Sequence, residues 1–542
     1  MVRGVGDKRV IVAAGLWAVT VSGALAQGAA PISAIDWLSN SIVTPSAMPA
    51  NPTFGTARPV VPGSTLSVMP PVPGEPPVSK GVGTEDISVL DLGGPDPNGI
   101  GLLPAKRAGL PKALWGKTPE TELIDLLRQA QVVNALPAIQ QLMQKLMLAE
   151  LDPPEISDPS RTDSLFLARI DKLLDQGALE PALAMLEQDH SDDPQVFRRR
   201  FDVALLLGEE DTACKLMDEM PDVAPSFGAR IFCFARNGDW DAAALSLGSG
   251  EALGQFDPET ATLLERFLEP ELGEDADDLP PPTRVTPLNF RMMEAIGQPL
   301  PTTGLPLAFA HADLRSNNGW KAQIEAAERL APHGAIDPNQ LLGLYTERRA
   351  AASGSLWDRV SAVSALDRAI TDNDIDTIET DLPEAYQAME RAELEPVLAE
   401  LYGPVLAAMD LKGAAKEAAF RLGLLSQDYE NVARNADDEA PDDALLIAIA
   451  LGNTEAVPAQ DQLGLALKRV FDAPQTATPA PYRELLPDQL GAAILQAVND
   501  IDNGARGDYP RMVNGLNLLR FVGLETVARR TALEMIILER RG

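Results

Sequence analysis

Three stretches decide how this chain folds: FLARIDKLLDQGALEPALAMLEQ (166–188), VFRRRFDVALLLGEEDTACKLMDEM (196–220) and ARIFCFARNGDWDAAALSLG (229–248). Each holds an apolar helical run, a glycine, then a second helical run with alanine five positions beyond the glycine. The glycines are Gly177, Gly208 and Gly238, and the alanines Ala182, Ala213 and Ala243. Glycine enters the left-handed conformation that ends a helix without a Cβ clash. Alanine lets the second helix lie close against its neighbour. The pattern predicts antiparallel helical hairpins stacked into an all-α solenoid.

The glycine spacings of 31 and 30 residues and the G-x-x-x-x-A turn resemble tetratricopeptide-like repeats, whose usual period is about 34 residues. The aromatic positions of the strict consensus are mostly absent, so the likeness is to the superfamily. Helix, glycine, helix returns at Gly319, at Gly413 with Ala418, and at Gly523 with Ala528. Before the repeats, ETELIDLLRQAQVVNALPAIQQLMQKLMLAEL (120–151) spaces apolar residues three and four apart, with Pro137 expected to end the first of two helices. No sustained Val/Ile alternation argues for a sheet. Leu and Ala dominate the apolar residues and aromatics make up only 5%, which suits helix-on-helix packing.

The punctuation divides the chain. Fifteen prolines fall in 27–111, including MPPVPGEPPV at 69–78. Proline lacks the backbone donor and fixes φ, so residues 27–112 are expected to be a disordered proline-rich arm. Two apolar islands interrupt it, Ile35 to Leu38 and Ile87 to Leu103. Trp37, Leu38, Leu90 and Leu92 are candidate docking residues, for a partner or for the chain's own helices. Repeat blocks follow at 113–270 and 303–455, separated by an acidic, proline-rich linker at 271–302 that contains GEDADDLPPPTRVTPLNF (273–290). A C-terminal helical block covers 456–542. The segments GLPKALWG (109–116) and LPLAFAHADLRSNNGW (305–320) resemble an uncharacterised family of exported alphaproteobacterial proteins, some labelled as related to antifreeze glycopeptides. An ice-binding face needs regularly spaced Thr on a flat surface. This sequence lacks that, so the function is not carried over.

Residues 1–26 have the parts of a secretory signal. Arg3, Lys8 and Arg9 precede the uncharged run VIVAAGLWAVTVSGA (10–24), which closes on Ala24-Leu25-Ala26. The run is shorter than the ~20 residues a bilayer core requires. Cleavage would leave Gln27 first and a chain destined for the periplasm or secretion, with no membrane span. The net charge is −34. Removing residues 1–26 takes away three basic residues and one acidic residue, leaving −36. That field repels phosphate backbones and anionic lipid.

Chemistry is sparse. The three histidines, His190, His311 and His333, stand apart in sequence, each beside residues that suit a surface or capping role. There is no G-x-S-x-G, Walker A, G-x-G-x-x-G, C-x-x-C or H-E-x-x-H. DNDIDTIETDLP (372–383) begins like a calcium loop, but Thr377 replaces the glycine at position six and Pro383 the glutamate at twelve. No cofactor, metal or catalytic residue is implied. Cys214 and Cys233 lie on neighbouring helices of the second and third repeats, symmetric about their connecting loop. Export favours a disulfide between them, whereas an ordinary helix spacing of ~8–10 Å would leave two buried thiols. The expected function is a non-enzymatic scaffold for a protein or peptide partner in the cell envelope. The alternative is a protein that binds or modifies the peptidoglycan wall.

Overall fold

Gly177, Gly208 and Gly238 have φ of 72°, 82° and 84°, the left-handed region that the repeat pattern calls for. Ala182, Ala213 and Ala243 are all buried. The computed structural model describes residues 96–538 apart from 131–135, 157–163, 220–225, 270, 272–276, 351, 437–442 and 477. The fold is all-α. Among the described residues there are 24 helices and one short parallel strand pair, Leu103–Pro104 with Ala149–Glu150.

A four-residue helix, α1 (Ala105–Ala108), precedes α2 (Glu120–Gln129) and α3 (Pro137–Leu148). Pro137 opens α3 and does not end α2, because the first helical position has no intrahelical N–H to lose. The three hairpins are α4 (Leu165–Asp175) with α5 (Leu179–Gln188), α6 (Pro194–Leu207) with α7 (Glu210–Glu219), and α8 (Phe227–Arg236) with α9 (Trp240–Ala252). From α4 to α9 each helix packs on the next. α10 (Pro258–Leu268) lies on α8 and α9, and α11 (Pro287–Ala295) turns back onto α6 and α10.

The chain continues through α12 (Ala310–Asp313), α13 (Trp320–Leu330), α14 (Pro338–Glu347), α15 (Ser355–Asp372), α16 (Ile375–Glu390), α17 (Glu395–Ala407) and α18 (Gly413–Leu425), each on its neighbour. Side chains tie these helices together. Glu328 of α13 accepts from the Tyr345 hydroxyl of α14 at 2.7 Å and from Arg359 Nε of α15 at 2.8 Å. The calcium-like stretch is an ordinary helix junction, with Asn373 left-handed and Asp374 capping α16 through Thr377 N. Gly319 has φ −65° and is the N-cap of α13, not a left-handed turn.

The last helices are α19 (Tyr429–Arg434), α20 (Ala444–Leu451), α21 (Gln462–Asp472), α22 (Leu490–Ala505), α23 (Tyr509–Phe521) and α24 (Glu525–Ile537). They return to the first helices of the described chain: α22 packs on α2, and α24 on α3, α18 and α20. Gly491 admits this return, since a Cβ there would stand 2.5 Å from the Trp115 ring. One apolar cluster runs from Leu110 to Leu538 and draws on all three helical blocks. A second, around Phe201, Cys214, Phe232, Leu264 and Met292, fills the end formed by α6–α8, α10 and α11.

Two expected boundaries shift. Residues 1–95, with the signal-like segment and Trp37, Leu38, Leu90 and Leu92, lie outside the described residues. Residues 96–112, assigned by proline content to the arm, belong to the folded body: Asn98 and Leu110 are 6% and 7% exposed. Pro97, Pro104 and Pro111 are isolated, so polar groups from elsewhere serve the backbone between them. Within 271–302, expected to be a linker, α11 forms behind a Thr286–Asn289 capping box. An ion chain fastens it. Arg291 bridges Glu210 and Glu294, and Glu294 accepts from Arg315 at 2.7 Å and 2.8 Å.

In the structure Cys214 of α7 and Cys233 of α8 are joined, with Cα atoms 5.1 Å apart across 19 residues of sequence. Both are buried. Protein purified under non-reducing conditions is expected to resist alkylation at both positions. Cys214→Ser is expected to lower stability by about 3 kcal/mol in the chain-entropy model. Two freely labelled thiols in native protein would refute the pairing.

The first hairpin also carries a pH dependence. Burial, followed by the charge of Glu209, raises the Glu180 carboxyl to about 7. Burial raises Asp175 to about 7 too, against the opposing pull of Lys172. A raised carboxyl favours the folded state while protonated. That contribution is complete below about 4.5 for Glu180 and is lost as pH rises through about 7. Glu180→Gln is therefore expected to stabilise the protein at pH 8 and leave it unchanged at pH 4.5. Equal effects at both values would dissociate the slope from Glu180.

Candidate functional site

The α17–α18 hairpin is offset. Gly423 of α18 stands opposite Ala407, the last residue of α17, and a Cβ at 423 would meet Ala407 Cβ at 2.8 Å and Val432 at 2.9 Å. This close approach leaves the first turns of α18 extending past the end of α17. The overhang, the 409–411 connection, the end of α19 and the start of α20 enclose a groove of about 650 Å³. Half-buried Phe420, Val432 and Ile447, together with Met409, wall it, and buried Leu406 and Leu411 lie at its base. Its rim carries both charge signs: Asp410, Glu417 and Asp443 against Lys416 and Arg421. Arg421 Nη2 pairs with Glu417 at 3.0 Å.

A smaller cleft of about 170 Å³ lies where α3 and α24 come together beside α17. Gln140, Gln144, His333, Glu400, Gln427 and Arg530 are among its lining residues. His333 Nδ1 is 3.2 Å from Gln140 Nε2, and Arg530 Nη1 donates to Gln141 Oε1 at 2.7 Å. Burial, then neighbouring Asp337, raises the Glu400 carboxyl, against the pull of Arg530.

The structure places the other sequence-flagged residues apart from either recess. His311 is buried in α12, its Nε2 without a hydrogen-bond partner, and burial holds its pKa well below the usual imidazole value. His190 is exposed beyond the end of α5. Among the described residues no group of three His, Cys, Asp or Glu side chains could hold a metal ion, and no helix is long and apolar enough to cross a membrane. Neither recess was read from sequence. The groove residues come from five separate segments and share no spacing, so periodicity gives no signal for them. Compared with known proteins, the chain matches no family model, no curated protein and no solved structure.

Proposed function

We propose that this chain is an exported, non-enzymatic scaffold of the cell envelope whose α17–α20 groove holds a segment of a protein or peptide partner. The groove carries this reading. Its volume exceeds the needs of one side chain, its walls set the apolar Met409, Phe420, Val432 and Ile447 among polar surface, and its rim offers both charge signs. Those are the requirements for seating an amphipathic segment by a few apolar anchors with polar flanks. The signal-like N-terminus and the Cys214–Cys233 bridge support an oxidising compartment. The net charge of −34 argues against nucleic acid.

A photocrosslinking amino acid placed at position 420 in living cells tests the reading. One discrete protein adduct in the envelope fraction is expected, lost when Val432→Glu puts a charge into the wall. Absence of an adduct, together with retention of the protein on purified peptidoglycan, would overturn it in favour of wall binding.

A further inference from the structure

The eight large apolar side chains that are exposed among the described residues are unevenly spread. Three sit on α9 and its C-cap: Trp240, Leu245 and Leu253, at 53%, 73% and 67% exposure. Ala243 and Gly250 make the buried side of this helix, and Gly250 lies under the Phe256 ring. Leu245, two residues beyond Ala243, therefore stands on the side away from the core, and Leu253 is exposed at the C-cap. Between Ala242 and Gly250 the helix has no charged residue. Surface helices ordinarily carry charge on their outer side. Between Ala242 and Gly250 this one is apolar on the inside and apolar or small on the outside, with the exposed acids Asp241 and Glu251 at either end.

Charge narrows what covers it. A second copy would bring another net −34 against the first. An anionic bilayer is repelled as well, since Asp239, Asp241 and Glu251 flank the face and α9 contains no Lys or Arg. A segment of the same chain needs no charge attraction, because its tether raises its local concentration to the millimolar range.

Ninety-five residues precede the described chain, which begins at Asp96. Residues Pro97–Gly99 pack on α4, and α9 is five helices further on. Adjacent helix axes lie ~8–10 Å apart, so the span is at most about 50 Å. Leu90 and Leu92 are too near Asp96, since so few residues reach only about 20 Å fully extended. Leu38 is separated from Asp96 by about 57 residues, enough length to cover that span, since even a random chain of that length reaches about 40 Å and stretching it further costs little. Around it Ile35, Leu38 and Ile42 recur at spacings of three and four beside Trp37, and Asp36 is the one charged residue between Gln27 and Ala57. We propose that this segment, Ile35 to Ile42, docks in cis on the outward face of α9. The inference is independent of the α17–α20 groove.

Hydrogen exchange on the full chain tests it. Triple substitution Ile35→Ser, Trp37→Ser, Leu38→Ser is expected to speed amide exchange across 242–253 by about tenfold. The reciprocal variant, Leu245→Glu with Leu253→Glu, changes only exposed side chains and is expected to speed exchange around Trp37 by a similar factor. Both effects should be independent of protein concentration. Unchanged exchange at either partner overturns the proposal. A concentration-dependent effect overturns it in favour of a contact between copies.

Discussion

Replacing Arg169 with alanine is expected to lower the unfolding free energy by about 4 kcal/mol and to release residues 96–104 from the body. Arg169 is 0% exposed on α4. Its guanidinium donates from Nε to Met147 O at 3.0 Å, from Nη2 to Met147 O at 2.6 Å and Ala149 O at 2.7 Å, and from Nη1 to Asn98 O at 3.0 Å. Burial alone lowers its pKa to about 10, so it stays charged at neutral pH. The charge is solvated by carbonyls of three residues, two at the end of α3 and one in the 3-10 turn at Pro97–Gly99. Alanine would strand those carbonyls in the core and leave a cavity, and both terms are destabilising. Arg169→Lys is expected to recover less than half the loss, because an ammonium cannot match the planar fork.

The same site divides the N-terminal segment. Asn98 Nδ2 donates to Glu120 Oε1 at 3.0 Å, and its Oδ1 accepts from Phe166 N at 2.8 Å. Glu120 Oε1 also accepts from Leu165 N at 2.7 Å, so these two residues complete the N-terminus of α4. A chain beginning at residue 96 is expected to melt within a few degrees of one beginning at Gln27. A chain beginning at residue 114 should be destabilised about as much as Arg169→Ala. Proline content alone would make all of 27–112 dispensable. Equal melting of the two truncated chains would restore that boundary.

The hairpins were legible because their signal is local. A glycine with positive φ and an alanine five residues on lie within one turn and one helix, and the sequence prints them side by side. The return of the chain has no such mark. Trp115 lies beneath Gly491, and Lys117 Nζ meets Asp488 Oδ2 at 2.8 Å over a separation of 371 residues. No periodicity connects such positions, and either charge is one among many of its sign. α11 was hidden for a different reason. The prolines at 280–282 read as a break, yet Pro287 sits at the first turn of a helix, where proline is favoured. The groove was out of reach for a third reason, since its volume comes from an offset between helices that glycine close contacts permit and composition does not reveal.

Glu534→Ala is expected to cost about 3 kcal/mol, and its effect should appear in two helices far apart in sequence, α3 and α24. Glu534 is 2% exposed on α24, and both carboxylate oxygens accept from Ala138 N, at 3.1 Å and 2.9 Å. Ala138 is in the first turn of α3, whose N-cap is Leu136, a residue with no side-chain acceptor. A carboxylate from 396 residues away thus does the capping, where the helix dipole favours negative charge. Arg530 Nη2 lies 3.7 Å from Glu534 Oε1 and would lose that neighbour. Glu534→Gln keeps an acceptor without the charge and should fall between parent and alanine. Hydrogen exchange is expected to rise in α3 and α24 together, while α8 stays protected because it belongs to the second apolar cluster. Faster exchange in α24 alone would show that α3 holds without its distant cap. Joint loosening would establish that α3 and α24 belong to one cooperative unit. Because α24 also packs on α18 and α20, that unit would extend to two of the helices that form the groove.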